Sequence, residues 1–187
     1  MSKRIFDILI ALFLSTLLLL PALVIAFFIR ITSPGPILYW SNRMGKNDII
    51  FAMPKFRTMR TDTPALATHL LDNPNSYLTP TGSFLRKTSL DELPQLWSIL
   101  KGHMSLVGPR PALFNQEDLI QARTQVGVHV LLPGITGLAQ VNGRDELSIP
   151  EKVCLDTYYL HHKSLLLDLK IILTTIIKVF RRDGITH

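Results

Sequence analysis

Asp91 and Glu92 are adjacent acids at the start of an expected helix, in the stretch Ser89-Leu90-Asp91-Glu92-Leu93-Pro94. Taken alone, such a pair is an ordinary acidic first turn, placed where free backbone N–H groups and the helix dipole favour negative charge. The company it keeps changes that reading. Arg86 and Lys87 lie just upstream, Lys55 and Arg57 follow an apolar segment, and Arg110 is fixed between Pro109 and Pro111. Each cation alone reads as a solvated surface charge. Together, around two carboxylates, they suit a diphosphate and a metal ion. Arginine grips phosphate oxygens with a planar fork and lysine offers a compact charge. Magnesium takes one or two carboxylates and completes its shell with substrate phosphates and water.

The elements that must position these groups are short. Ile37-Leu38-Tyr39-Trp40 and Ile49-Ile50-Phe51-Ala52-Met53 read as two strands joined through Arg43-Met44-Gly45-Lys46-Asn47-Asp48, a hairpin. Tyr39 and Trp40 fit a lipid headgroup layer or a core equally well. Thr63-Pro64 opens an expected helix through Leu71, and Ser83 to Lys87 forms a second. A third starts at Ser89 and stops at Gly102. Val107-Gly108-Pro109-Arg110-Pro111 is a rigid loop, and Leu131 to Gly137 is rich in turns. Helices are expected from Phe114 to Gln125, from Pro150 to about His161, and from Leu165 to Arg182. The last carries Asp168, Lys170, Lys178, Arg181 and Arg182 among apolar residues, so it fits a membrane interface or the domain core equally.

Ahead of this domain, Ile8 to Ile29 form an uncharged apolar run, long enough for the roughly 20 residues that cross a bilayer. A straight anchor is the commonest reading of such a run. Two features favour a re-entrant one. Lys3 and Arg4 precede the run and Arg30 follows it, which favours keeping both ends in the cytoplasm. Pro21 also sits in its interior, where a proline removes one helical hydrogen bond and clashes with the preceding turn. A bend near Leu20-Pro21 leaves the Leu17 carbonyl without its donor, and Ser15 and Thr16 more naturally bond carbonyls a turn before themselves. The stretch is too long for a signal-peptide core.

Composition narrows the class. The chain has 187 residues and a formal net charge of +6, so beyond the apolar run there is room for one compact domain with a basic balance. The single cysteine, Cys154, excludes an internal disulfide framework and is expected to be a packed thiol. The six histidines show no zinc-like spacing, and His161-His162 reads as surface or interface. A basic recognition helix or aromatic–basic motif is absent from the sequence, which argues against nucleic acid as a partner.

Four ordered segments carry a resemblance: Lys55-Phe56-Arg57-Thr58-Met59, Arg86-Lys87-Thr88-Ser89-Leu90-Asp91-Glu92-Leu93-Pro94-Gln95, Gly108-Pro109-Arg110-Pro111, and Gly134-Ile135-Thr136-Gly137-Leu138-Ala139-Gln140-Val141-Asn142-Gly143-Arg144. The chain resembles the bacterial sugar transferases, the monotopic phosphoglycosyl transferases, in their minimal form. The resemblance implies transfer of a phosphosugar from a UDP-sugar to a polyprenol phosphate, with release of UMP, as a first membrane step of glycoconjugate synthesis. It implies that Asp91 is the nucleophile, forming a phosphosugar–enzyme intermediate, and that Glu92 helps hold Mg2+. By the same likeness Arg110 contacts phosphate, Lys55 and Arg86 stabilise charge, and Gln140, Asn142 and Arg144 contact the nucleotide or shape the site. One departure concerns the membrane break. Small family members often carry Ser-Pro there, and this chain has Leu20-Pro21.

The expected fold is therefore α+β and mostly helical. Residues 1–31 form a re-entrant membrane helix-break-helix. Residues 32–187 form a catalytic domain with a short hairpin and interfacial amphipathic helices, held at the cytoplasmic face of a bacterial inner membrane. The expected partners are a UDP-sugar, polyprenol phosphate and membrane lipids, with a homodimer left open. The competing reading is a membrane-tethered adaptor without activity.

Overall fold

The computed structural model describes residues 2–64, 73–143 and 146–181. Two helices come first, α1 (Ser2–Leu17) and α2 (Leu19–Thr32), bent by 59° at Leu18. Among the described residues no single helix is long and apolar enough to cross a membrane, whereas this bent pair passes by length and composition. The bend lies about one turn earlier than Leu20-Pro21. The reason is steric: a proline ring collides with the carbonyl four residues before it, so the chain yields ahead of Pro21. Leu18 takes φ −95° and ψ 7°, outside the helical well. Leu18 N–H bonds the Leu14 carbonyl and Ala22 N–H bonds the Leu18 carbonyl, both at 2.9 Å, so the ladder is intact on either side. Thr16 Oγ1 donates to the Leu12 carbonyl at 2.9 Å, one turn back, as its local chemistry dictates.

The hairpin forms from β1 (Leu38–Met44) and β2 (Ile50–Phe56), antiparallel, with Tyr39 opposite Lys55 and Trp40 opposite Pro54. Both strands are longer than the apolar stretches that announced them, and β2 therefore contains Lys55. Pro54 is tolerated because a two-stranded sheet leaves edges where no N–H is required. Tyr39 and Trp40 are both exposed. Then come α3 (Gly82–Thr88), a 3-10 segment from Leu90 to Gln95, α4 (Leu96–Lys101) and β3 (Ser105–Val107). The helix expected from Ser89 to Gly102 is thus split. Pro94 lacks the N–H an α-helix would use, so the first part adopts the tighter winding.

After α5 (Glu117–Gln125), β4 (Gly134–Thr136) pairs in parallel with β3, Ser105 against Gly134 and Val107 against Thr136. The fold closes with α6 (Leu138–Val141), α7 (Ile149–His162) and α8 (Leu165–Arg181). Ser148 and Glu151 form a reciprocal capping box at the start of α7. Helix α5 starts three residues later than Phe114, because Gln116 N–H folds back on the Leu113 carbonyl in a turn. The helix expected from Thr63-Pro64 to Leu71 falls mostly outside the described residues.

Two apolar clusters organise the molecule. In the larger, Ala11 of α1 packs with Phe51, Met53, Ile99, Met104, Val107, Tyr159 and Ile171. In the smaller, Ile29 of α2 packs with Phe56 and Leu85, and Leu90 and Leu93 close against it. The opposite sides of α1 and α2 remain apolar and exposed, with Phe13 at 64% and Leu20 at 71%. Helix α8 packs on the domain through Asp168 and Ile171, which are buried, while Leu166, Leu173 and Ile177 are exposed. Cys154 corrects the expectation of a packed thiol, since it is exposed. The buried side of α7 is set by Asp156 and Tyr159, and the helical repeat turns Cys154 away from it.

Polar groups fasten α1 to the domain. Arg4 donates to the carbonyls of Ile99 and Leu100 at the end of α4. Asp7, 1% exposed, accepts from Ser105 Oγ at 2.7 Å and from Leu106 N–H at 3.2 Å. Lys3 Nζ reaches Asp168 at 2.7 Å, and the other oxygen of that carboxylate accepts from Tyr159 Oη at 2.6 Å. The amino-terminal helix is therefore seated by charge as well as by packing.

Candidate active site

The acid pair sits on the 3-10 segment, and its placement begins with Ser89. Ser89 ends α3 in the left-handed region, φ 56° and ψ 17°, and its N–H bonds the Arg86 carbonyl at 3.1 Å. The chain then turns sharply, so Leu90 and Leu93 fall on the apolar cluster with α2 while Asp91 and Glu92 are carried toward β2. Lys55 meets them from that strand. Its Nζ donates to Glu92 Oε1 at 2.8 Å and stands 4.0 Å from Asp91 Oδ2. Arg110 approaches the same Glu92 oxygen, with Nη1 at 3.6 Å.

Asp91 is 8% exposed, and among the described residues no donor lies within hydrogen-bonding distance of its carboxylate. Burial pushes its pKa above the usual carboxylate range. Lys55 opposes that shift, Glu92 adds to it, and Arg86 and Arg110 oppose it more weakly. Arg86 is half-buried and its Nε donates to Thr58 Oγ1 at 3.0 Å. Burial lowers its pKa, and the charge of Asp91 works the other way.

The structure thus gathers Lys55, Arg86, Asp91, Glu92 and Arg110 into one electrostatic unit. Arg57 is engaged elsewhere. It is buried and donates to the carbonyls of Ser33 and Pro34, tying the end of β2 to the turn after α2. Lys87 is exposed on α3. Gln140 Nε2 bonds the Ile135 carbonyl at 2.8 Å, and Asn142 Nδ2 bonds the Leu138 carbonyl at 2.7 Å. Both brace their own segment from Ile135 to Asn142. Arg144 lies outside the described residues.

The loop bearing Arg110 is placed by close backbone contact. A Cβ at Gly134 would stand 2.1 Å from Gly108 N, so only glycine lets the two segments approach. Gly134 N–H then bonds the Pro109 carbonyl at 2.9 Å, and Gly108 N–H bonds the Thr136 carbonyl at 2.9 Å. Two residues of the site were not marked by sequence reasoning. Thr58 was only part of a motif, although it anchors Arg86. Arg123 was read as a helix-end cation, although it bonds the Arg110 carbonyl.

Comparison with known proteins agrees with this arrangement. The family model described as bacterial sugar transferase matches residues 1–182, which contain every residue above. The chain belongs to the bacterial sugar transferase family. As a member of that family it is an enzyme. It is 40% identical over 183 residues to an uncharacterized sugar transferase, EpsL, of Bacillus subtilis, with 98% of this chain and 89% of that protein covered. It is 40% identical over 200 residues to the UDP-galactose-lipid carrier transferase of Erwinia amylovora, and 35% identical over 199 residues to the undecaprenyl-phosphate galactose phosphotransferase of Salmonella typhimurium. In each of these two, 97% of this chain matches 41% of the relative's length.

Proposed function

We propose that this sugar transferase moves a phosphosugar from a UDP-sugar to undecaprenyl phosphate in two displacements through Asp91. In the first, an Asp91 oxygen attacks the β-phosphorus of the donor. The bond from that phosphorus to the bridging oxygen breaks, UMP leaves with the electron pair, and an aspartyl-phosphosugar remains. In the second, a phosphate oxygen of the lipid acceptor attacks the same phosphorus. The bond to Asp91 breaks, giving a polyprenyl diphosphosugar and the free carboxylate. Dividing one difficult displacement into two is the established advantage of covalent catalysis.

One observation carries this reading: Asp91 is buried and, among the described residues, no hydrogen bond holds its carboxylate, whereas its neighbour Glu92 is held by Lys55 and approached by Arg110. A carboxylate that no donor holds keeps its lone pairs available for attack. Lys55, Arg86 and Arg110 supply fixed positive charge where phosphate charge shifts toward UMP. Asp91 and Glu92 also present neighbouring hard oxygens, the donor type that Mg2+ combines with substrate phosphates. When bound there, with Glu92 as its principal protein ligand, the ion would neutralise diphosphate charge. By the family resemblance, Gln140, Asn142 and Arg144 contact the nucleotide or shape the site.

The same reading gives α1 and α2 a purpose. Their exposed apolar faces enter the bilayer from the cytoplasmic side and return, and the outward face of α8 lies in the interface. The acceptor phosphate resides among lipid headgroups, so a site packed against α2 meets it without extraction from the membrane. The names of the relatives make UDP-galactose the first donor to test. The purified protein, with Mg2+ and undecaprenyl phosphate, is given a panel of UDP-sugars and UMP is measured. Mass spectrometry is expected to find a phosphosugar adduct on Asp91 when the acceptor is withheld. UMP release with full activity in Asp91→Asn would overturn the mechanism, and labelling of the amino terminus from the periplasmic side would overturn the topology.

A further inference from the structure

Four successive carbonyls of the Arg110 loop are held, from three segments of the chain. Pro109 O accepts from Gly134 N–H at 2.9 Å, Pro111 O from Arg43 Nη1 at 3.2 Å, and Ala112 O from Met44 N–H at 3.0 Å. The fourth, Arg110 O, accepts at 2.8 Å from Nη1 of Arg123, a residue of α5. This is the carbonyl of the very residue whose side chain faces Glu92. It is also the one held by a buried charge. Arg123 is 8% exposed, and both Nε (3.0 Å) and Nη2 (2.6 Å) donate to Asp156 Oδ2 on α7, itself 1% exposed.

A buried ion pair is a costly way to fasten two helices, and well-packed apolar residues usually stabilise as much or more. A guanidinium has one property that apolar groups lack: a rigid planar fork that can fix two acceptors at a set angle. Here one side of the fork is locked by Asp156 and the other determines where Arg110 begins. The 3.6 Å approach of Arg110 to Glu92 depends on that origin, because two prolines on either side leave the loop little freedom to compensate.

We infer that Arg123, locked by Asp156, is a positioning residue that sets the reach of the Arg110 side chain into the active site. The inference rests on the reading of Arg110 as a phosphate-contacting cation. Arg123 touches no reacting atom and acts only through the Arg110 backbone. Lysine at this position keeps the charge for Asp156 but replaces the planar fork with a point charge, so the two acceptors are no longer held at a set angle.

The test is a double-mutant cycle with Arg110→Ala and Arg123→Lys, read by UMP release and by calorimetric binding of UDP with Mg2+. Arg123→Lys is expected to lower kcat/KM about tenfold, in line with small misplacements of a catalytic group, while thermal melts stay cooperative. In the Arg110→Ala background the same change is expected to cost less than about twofold, in turnover and in UDP affinity alike. Losses that multiply fully across the two sites would overturn the inference and leave the proposed transfer untouched. No effect of Arg110→Ala, with Asp91→Asn still inactive, would remove the assumed role of Arg110 and the inference with it. A wild-type protein that neither releases UMP nor binds UDP would instead refute the functional reading itself. If Arg123→Lys does not fold, Asp156→Glu, which shifts the lock while keeping both charges, takes its place in the cycle. If neither folds, the pair is a folding element alone and the inference is overturned.

Discussion

Asp7, Asp156 and Asp168 are each 1% exposed as residues, and Asp91 is 8% exposed, yet their carboxylates live in opposite surroundings. Asp7 has a serine hydroxyl and a backbone N–H, Asp156 a bidentate arginine, and Asp168 a lysine and a tyrosine hydroxyl, all within 3.2 Å. Asp91 has its nearest cation at 4.0 Å. Burial with partners makes a carboxylate a fastener; burial without them makes it reactive and costly. The fold places its bonded acids where α1, α5, α7 and α8 meet the rest of the domain, and the one without a donor among the described residues lies beside β2 and Glu92. The same difference separates Asp91 from Glu92, one residue apart.

The contrast can be broken most forcefully at Asp91. Asp91→Asn is expected to reduce UMP release by at least about a thousandfold, as loss of a covalent nucleophile does, and to abolish the adduct. Glu92→Gln, which keeps the shape but removes the charge that Lys55 and Arg110 share, is expected to lower turnover about a hundredfold and to raise the Mg2+ concentration for half-maximal rate. Asp168→Ala should show the reverse pattern. It removes the 2.7 Å partner of the Lys3 ammonium and one acceptor of the Tyr159 hydroxyl, so denaturant titration is expected to reveal a loss of about 1–3 kcal/mol. Turnover per folded molecule should stay near that of the wild type.

The smallest effect concerns pH. The folded-state pKa of Asp91 is raised, so the folded chain binds this proton more tightly than the unfolded chain does. The associated stability is present below the unfolded pKa and is lost as pH rises through the folded one. Asp91→Asn is therefore expected to raise the melting temperature at pH 7 and to have little effect near pH 4. kcat/KM is expected to rise with pH through an apparent pKa above the usual carboxylate value, since that parameter reports the free enzyme. A melting temperature that Asp91→Asn lowers at pH 7 would mean the carboxylate has partners after all.

Much of the site was legible because its signals are local. The hairpin follows from two apolar stretches around a turn, α7 from Pro150, and the stop of α4 from Gly102. Lys55, Arg86, Asp91, Glu92 and Arg110 carried ordered motifs, and the fold brings them together. Other features had no local signal. The β3–β4 pair consists of three-residue strands, too short for any periodicity to register. Arg123 and Asp156 stand 33 residues apart, and nothing in either neighbourhood announces the other. Arg57 sits in a motif beside Lys55, yet its charge turns to the carbonyls after α2. The bend at Leu18 rather than at Pro21 reflects a clash transmitted backward along one turn.

Residue types and their order determined the family, the acid pair, the cations available to it and the apolar run that must bend, because each depends on covalent neighbours or on a motif a few residues long. Tertiary structure alone decided which buried acid would go without a donor, which arginines would serve the backbone rather than the site, and which carbonyl would fix the reach of Arg110. Those outcomes depend on distances between segments far apart in the chain, and such distances exist only once the apolar clusters have closed.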